Sequence, residues 1–388
     1  MRCLHSVLCL IGLSFVMATG VSVAASPQFA DKVELGRALF HDPNLSQNRS
    51  QSCATCHMPD MGFADRRETH KGNFVSLGDD GKSFGDRNAP TVTYAALVPT
   101  FGRDAEGRYV GGQFWDGRAK DLDEQAEGPL LNAVEMGMKN EIEVAGRLVE
   151  NPAYVEALAT LYSVDVKAEP LKAFKAAANA IASFERSEEF ATFDSKYDRY
   201  LRGEEQLTDQ EELGRTLFFS KQFTNCNQCH DLRGRDGRLE TSTFTSHRYF
   251  NIGVPVNREA RALNGIGDDF VDDGLAGNNH VGGDPKERGK FRVPTLRNVA
   301  VTGPYMHNGV FADLRTVILF YNKYNSKKKS RQINPETGER WADPEVPENI
   351  ALEELESGPA LDDKRIDALV AFLKTLTDRR YEHLFHEK

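Results

Sequence analysis

The chain has 388 residues, 40% of them hydrophobic, with 32 glycines and 16 prolines. It is too apolar to be disordered and long enough for two domains of ordinary size. With 58 acidic residues against 48 basic ones the formal net charge is −10, which argues against nucleic acid or an anionic membrane as partner but permits docking onto a basic protein patch.

Residues 1–25 read as a signal peptide: Arg2 supplies the positive start, Val7 to Val16 the apolar core, and Val23-Ala24-Ala25 the small residues for cleavage before Ser26. That run is short for a membrane anchor and no later run approaches membrane length, so the mature protein is expected to be soluble in the periplasm, with no membrane attachment. Helices are expected over Glu34 to Phe40 and Glu212 to Phe218, which share the pattern Glu-Leu-Gly-Arg-x-Leu-Phe. Each precedes a Cys-x-x-Cys-His motif: Cys53, Cys56 and His57, then Cys226, Cys229 and His230. Downstream, Ala89-Pro90-Thr91-Val92 is matched by Val293-Pro294-Thr295-Leu296, and Trp115-Asp116-Gly117 by His307-Asn308-Gly309. Leu122 and Leu314 follow, each opening a segment expected to be helical.

Between the copies, Leu171 to Arg186 is alanine-rich and helical in pattern, and the charged stretch 187–206 looks like a connection. Residues 263–290, rich in Gly, Asp and Asn, are expected to be loop. Residues 327–359, with Trp341 and several prolines, are expected to be a surface excursion. Residues 362–377 close the chain with an apolar helical stripe of Ile366, Leu369, Val370, Leu373 and Leu376. The fold class expected is mainly α: two cytochrome c-like haem domains related by an internal repeat, 26–186 and 207–388, with long loops.

Cys3 and Cys9 leave with the signal, and four cysteines remain. Two disulfides would use them, and so would a four-sulfur zinc site. Neither needs a histidine directly after each pair. A c-type haem does, because two thioethers hold the porphyrin while the adjacent imidazole reaches the iron.

The repeat makes the two sites unequal. Counting fourteen residues beyond Trp115 reaches Pro129, and the same count from His307 reaches Tyr321. If that position faces the haem, His230 and Tyr321 close the second iron, while the first keeps His57 and an open site able to bind peroxide. Tyr321 also belongs to an ordinary buried stripe with Leu314, Val317, Ile318 and Tyr324, and Met306, His307 and Tyr324 are rival donors; periodicity does not choose among them. Near the open site stand Gln125 and Glu135. A carboxyl in a dry pocket, its pKa raised, suits the proton movement that peroxide cleavage requires. Trp115 reads either as core or as an electron relay.

These motifs resemble those of the bacterial dihaem cytochrome c peroxidase and MauG family, over essentially the whole mature chain. The match is carried by Cys53-Ala54-Thr55-Cys56-His57, Arg87-Asn88-Ala89-Pro90-Thr91, Phe114-Trp115-Asp116-Gly117-Arg118 and Val134-Glu135-Met136-Gly137-Met138. Pro294-Thr295-Leu296-Arg297-Asn298 and Pro304-Tyr305-Met306-His307-Asn308-Gly309 complete it. The resemblance implies two c-type haems on Cys53, Cys56, Cys226 and Cys229, with His57 and His230 as proximal ligands. It implies Glu135 as distal acid–base residue with Gln125 and Pro129 lining its pocket, and Trp115 coupling the haems. It also implies a calcium ion held by Asn88 and the backbone oxygens of Thr302 and Pro304, since calcium prefers oxygen-only ligation.

Tyr321 then sorts the branches. Peroxidases fed by small cytochromes place methionine there, and the MauG branch places tyrosine. A thioether favours ferrous iron, whereas a phenolate favours ferric and higher states. The implied function is oxidation of tryptophans in a methylamine dehydrogenase precursor, by hydrogen peroxide or by oxygen plus electrons, completing tryptophan tryptophylquinone. Small cytochromes or cupredoxins would be the electron donors. The alternatives are a peroxidase reducing hydrogen peroxide with electrons from a small cytochrome, and an oxidase acting on another client protein. One departure stands out: the MauG branch has a surface tryptophan two residues before the second motif, and here that place is Thr224.

Overall fold

The computed structural model describes residues 28–67, 74–232, 238–267 and 269–386, so the expected signal peptide lies outside the described residues. The first half carries helices α1 (Lys32–Phe40), α2 (Cys53–Cys56), α3 (Leu122–Leu131), α4 (Glu141–Val149), α5 (Pro152–Tyr162) and α6 (Pro170–Glu185). The second carries α7 (Lys196–Leu201), α8 (Asp209–Phe219), α9 (Cys226–Cys229), α10 (Arg258–Asn264), α11 (Leu314–Asn322), α12 (Leu352–Leu355) and α13 (Asp363–Lys374). Strands amount to two minimal antiparallel ladders, β1 (Gly102–Arg103) with β2 (Tyr109–Val110) and β3 (Tyr249–Phe250) with β4 (Phe291–Arg292). The fold is mainly helical. Among the described residues no helix is long and apolar enough to cross a membrane.

Local chemistry sets the helix ends. Asp31 accepts from the Val33 and Glu34 N–H groups and starts α1, while Thr208 and Glu211 form a reciprocal capping box that starts α8. Pro170 opens α6, where its missing N–H costs nothing. Glycine then fixes how the helices cross. A Cβ on Gly36 of α1 would run into the Ala180 carbonyl of α6, and a Cβ on Gly214 of α8 would run into the Ala368 carbonyl of α13. Only a missing side chain lets the backbones approach so closely.

Two apolar clusters result. The first gathers Leu35, Phe40, Phe63, Leu148, Phe184 and Phe190, and the second gathers Tyr197, Phe218, Phe244, Leu369, Phe372 and Leu376. They meet over a buried polar seam. Arg297, with 0% exposure, donates to Asp198 at 2.5 Å and to the Ser242 carbonyl at 2.9 Å, and its guanidinium lies over the Tyr94, Phe193 and Phe244 rings. Beside it the Tyr94 hydroxyl and the Asn298 amide both donate to Asp378.

The stretch 187–206 contains α7, in which Ser195 and Asp198 cap each other, and Tyr197 is buried against Phe244 and Phe372. Two of its charged residues, Asp198 and Arg199, are buried, and Asp198 pairs with Arg297. By contrast, 263–290 and 327–359 are largely irregular, with short helical turns.

Candidate functional site

Each Cys-x-x-Cys forms one helical turn and hands its histidine to a fixed acceptor. His57 Nδ1 donates to the Phe63 carbonyl at 3.3 Å, and His230 Nδ1 to the Phe244 carbonyl at 2.9 Å. Both acceptor phenylalanines sit in left-handed backbone, with φ of 51° and 52°. These bonds set the tautomer and leave Nε2 with a lone pair for a metal. Burial pushes both imidazoles below their ordinary value, His230 to about 4, which keeps them neutral as ligation requires. All four cysteines are free, and among the described residues no three His, Cys, Asp or Glu side chains group to hold an ion. Paired free thiols beside an oriented imidazole are the donor set a c-type haem needs.

A deep cavity opens over the second motif, walled by Cys226, Cys229, His230, Met306, Leu373 and Tyr321. Tyr321 projects into it from α11, and no hydrogen bond holds its hydroxyl among the described residues. Burial and the neighbouring thiols raise its pKa. The rival Tyr324 is engaged elsewhere, since its hydroxyl donates to the Ile252 carbonyl at 2.9 Å. His307 also reaches this cavity, stacked on Phe291 at 3.6 Å with its Nε2 unpartnered. Met306 lines the cavity too, in left-handed backbone at φ 71°.

On the first side the corresponding wall is different. α3 and α11 are capped by Asp121 and Asp313 and begin at Leu122 and Leu314, so Pro129 and Tyr321 hold the same register. Phe114, at φ 65°, takes the place of Met306. Glu135 lines a small pocket with Phe114, Arg118, Glu124, Gly128 and Asn132. The Asn132 amide donates to Glu135 Oε1 at 2.8 Å, and Arg118 lies over the Phe114 ring at 3.7 Å. Burial raises the Glu135 pKa, against the opposing pull of Arg118 and the Asn132 hydrogen bond. Gln125 stands one turn before Pro129 on α3, part-buried, and the small pocket is walled by its neighbours instead.

Trp115 lies next to Phe114 of the small pocket and lines the second cavity. Its indole N–H donates to the Asn88 carbonyl at 2.8 Å, and its own carbonyl accepts from Arg292 at 2.8 Å. Asn88 in turn donates its backbone N–H to the His307 carbonyl at 2.7 Å and its amide to the Phe74 carbonyl at 3.3 Å. Thr224, where the surface tryptophan was expected, is buried at 7% exposure and donates to the Leu217 carbonyl.

Sequence reasoning passed over Asn132, Arg118 and Arg67. Asn132 had a signal: its side-chain oxygen accepts from the Val134 N–H at 3.2 Å, a local turn that Asn three residues before Glu invites. Arg67, which donates to Cys56 Sγ at 3.2 Å, had none.

The family described as di-haem cytochrome c peroxidase matches residues 30–206. The methylamine utilization protein MauG of Paracoccus denitrificans is 54% identical over 380 residues, covering 98% of this chain and 97% of that protein. The cytochrome c551 peroxidase of Nitrosomonas europaea is 34% identical over 297 residues, covering 76% of this chain and 74% of its own. Among solved structures, the diheme peroxidase BthA of Burkholderia thailandensis superposes with a TM-score of 0.80 at 33% identity, covering 90% of this chain and 87% of that one.

Proposed function

Because the chain belongs to the di-haem cytochrome c peroxidase and MauG family, we propose that it is an exported enzyme that oxidises tryptophans in a methylamine dehydrogenase precursor, driven by hydrogen peroxide or by oxygen plus electrons. It is a haem-dependent, peroxidase-like oxidoreductase carrying two haems. The finer assignments are completion of tryptophan tryptophylquinone, covalent attachment through Cys53, Cys56, Cys226 and Cys229, and residence in the periplasm. The observation that carries the proposal is the pairing of Tyr321 with Pro129 at one helical register: a phenol without a protein partner on one side, a ring that cannot coordinate on the other. Matched helix starts, matched positive-φ residues and matched glycine contacts support reading 26–186 and 207–388 as two copies of one unit.

When bound, haem supplies an iron able to take peroxide and to pass electrons singly. The protein does the rest. Glu135, desolvated and clamped by Asn132, can accept a proton from one peroxide oxygen and return it to the other. Gln125 and Pro129, on α3 beside that pocket's Glu124 and Gly128, would flank the approach. Trp115, hydrogen-bonded to Asn88, offers a ring between the two sides, and calcium on Asn88, Thr302 and Pro304 would stiffen that link. Tyr321 and His230 would hold the haem iron of the second unit, and His57 that of the first.

A second reading, a peroxidase fed by small cytochromes, draws on Met306, whose thioether lines the same cavity as Tyr321. A third, an oxidase of another client, draws on Thr224. Incubation with peroxide and precursor dehydrogenase separates them. The proposal expects the precursor's mass and quinone absorbance to change; rapid turnover of reduced cytochrome c with an unchanged precursor contradicts it.

A further inference from the structure

Glu185, the last residue of α6, is buried at 3% exposure within the first apolar cluster, and its Oε2 finds no hydrogen-bond partner. Helix packing shows what it faces. Gly36 abuts Ala180 and Phe184 of α6 just as Gly214 abuts Ala368 and Phe372 of α13. In that alignment Glu185 falls where Leu373 falls, and Leu373 walls the cavity of Cys226, Cys229 and His230. The first unit thus carries a carboxyl where the second carries an alkyl group. The Glu185 charge acts on Cys53 more strongly than that of any other residue.

We infer that the Glu185 carboxyl lies against the haem of the first unit and ties the electron count there to proton uptake. The inference rests on the haem-carrying reading of that unit. When an external reductant adds one electron at that site, Glu185 takes one proton from water and becomes the neutral acid; on oxidation it returns the proton. No bond other than this O–H forms or breaks.

The surroundings leave Glu185 responsive. Burial pushes its pKa up to about 8, with Arg186 pulling the other way. Arg186 is itself paired with Asp123. From α1, Arg37 lies over the Phe184 ring at 4.5 Å and pairs with Glu189, and the His41 ring stands 6.2 Å from Phe184. Arg380 lies over the Phe63 ring at 5.6 Å, and Cys53 of α2 lies near enough to feel the Glu185 charge. None of these donates a hydrogen bond to Glu185. An anion so placed favours the oxidised site, and its protonation favours the reduced one.

The test is a spectroelectrochemical titration of the two-haem protein, wild type against Glu185→Gln and Glu185→Leu, from neutral to alkaline pH. In the wild type the first site's potential is expected to fall as pH rises through about 8. Both substitutions should flatten that dependence, and the second site, walled by Leu373, should serve as internal control. A wild-type potential independent of pH overturns the inference without any variant. So does an unchanged slope in either loaded variant. Wild type that loads fewer than two haems overturns the haem-carrying reading instead.

Discussion

At Cys53–His57 and at Cys226–His230 the backbone does the same job: one helical turn presents the thiols, and a left-handed phenylalanine takes the histidine Nδ1 proton. Across from them the walls diverge. The first offers Phe114 and a clamped, desolvated Glu135; the second offers Tyr321, Met306 and an apolar cavity. The scaffold thus fixes the histidine side alike in both halves and varies the facing helix. α3 and α11 start at matching leucines, and their eighth residues are Pro129, which has no donor atom, and Tyr321, which has one.

Several changes would break or sharpen this contrast. The largest effect is expected from the shared side: Cys226→Ser should remove one of two haems and Cys53→Ser the other, read by haem content per chain. On the divergent side, Glu135→Gln should slow the reaction with peroxide by about 10²–10⁴-fold with haem content unchanged, followed by stopped-flow absorbance. The carboxylate is the form that accepts the first proton. Burial raises its pKa, so the wild-type rate should fall as pH drops through a value above the ordinary glutamate range. Glu135→Gln should be flat over the same range.

The seam comes next. Arg297→Ala strands Asp198 without its buried partner and should cost about 3–5 kcal/mol in denaturant unfolding. The smallest effect tests sameness: Gly36→Ala and Gly214→Ala both press a methyl onto a carbonyl of the facing helix and should each cost about 1–3 kcal/mol. Markedly unequal losses would mean the two helix pairs are not equivalent.

Much of this was legible in the sequence because spacing carries it. The Cys-x-x-Cys-His motifs, the Gly-bearing helices and the count from Trp115 to Pro129 and from His307 to Tyr321 are linear facts that helices preserve. What periodicity could not choose was the donor: Tyr321 and Tyr324 share one stripe, and only the Ile252 carbonyl, distant in sequence, removes Tyr324 from contention. Glu185 was invisible for a similar reason. At the end of an alanine-rich helix a glutamate reads as solvated, whereas Glu185 is 3% exposed in the fold. In the 187–206 stretch the burial of Asp198 and Arg199 in ion pairs depends on partners distant in sequence, Arg297 and Glu382.

The inequality of the two irons is tested most directly by the electron paramagnetic resonance spectrum of the diferric protein, compared with that of Tyr321→Phe. The wild type is expected to show one high-spin and one low-spin centre, with the substitution converting the low-spin signal and leaving the other untouched. Two low-spin centres at rest, or a low-spin signal indifferent to loss of the Tyr321 hydroxyl, would contradict it.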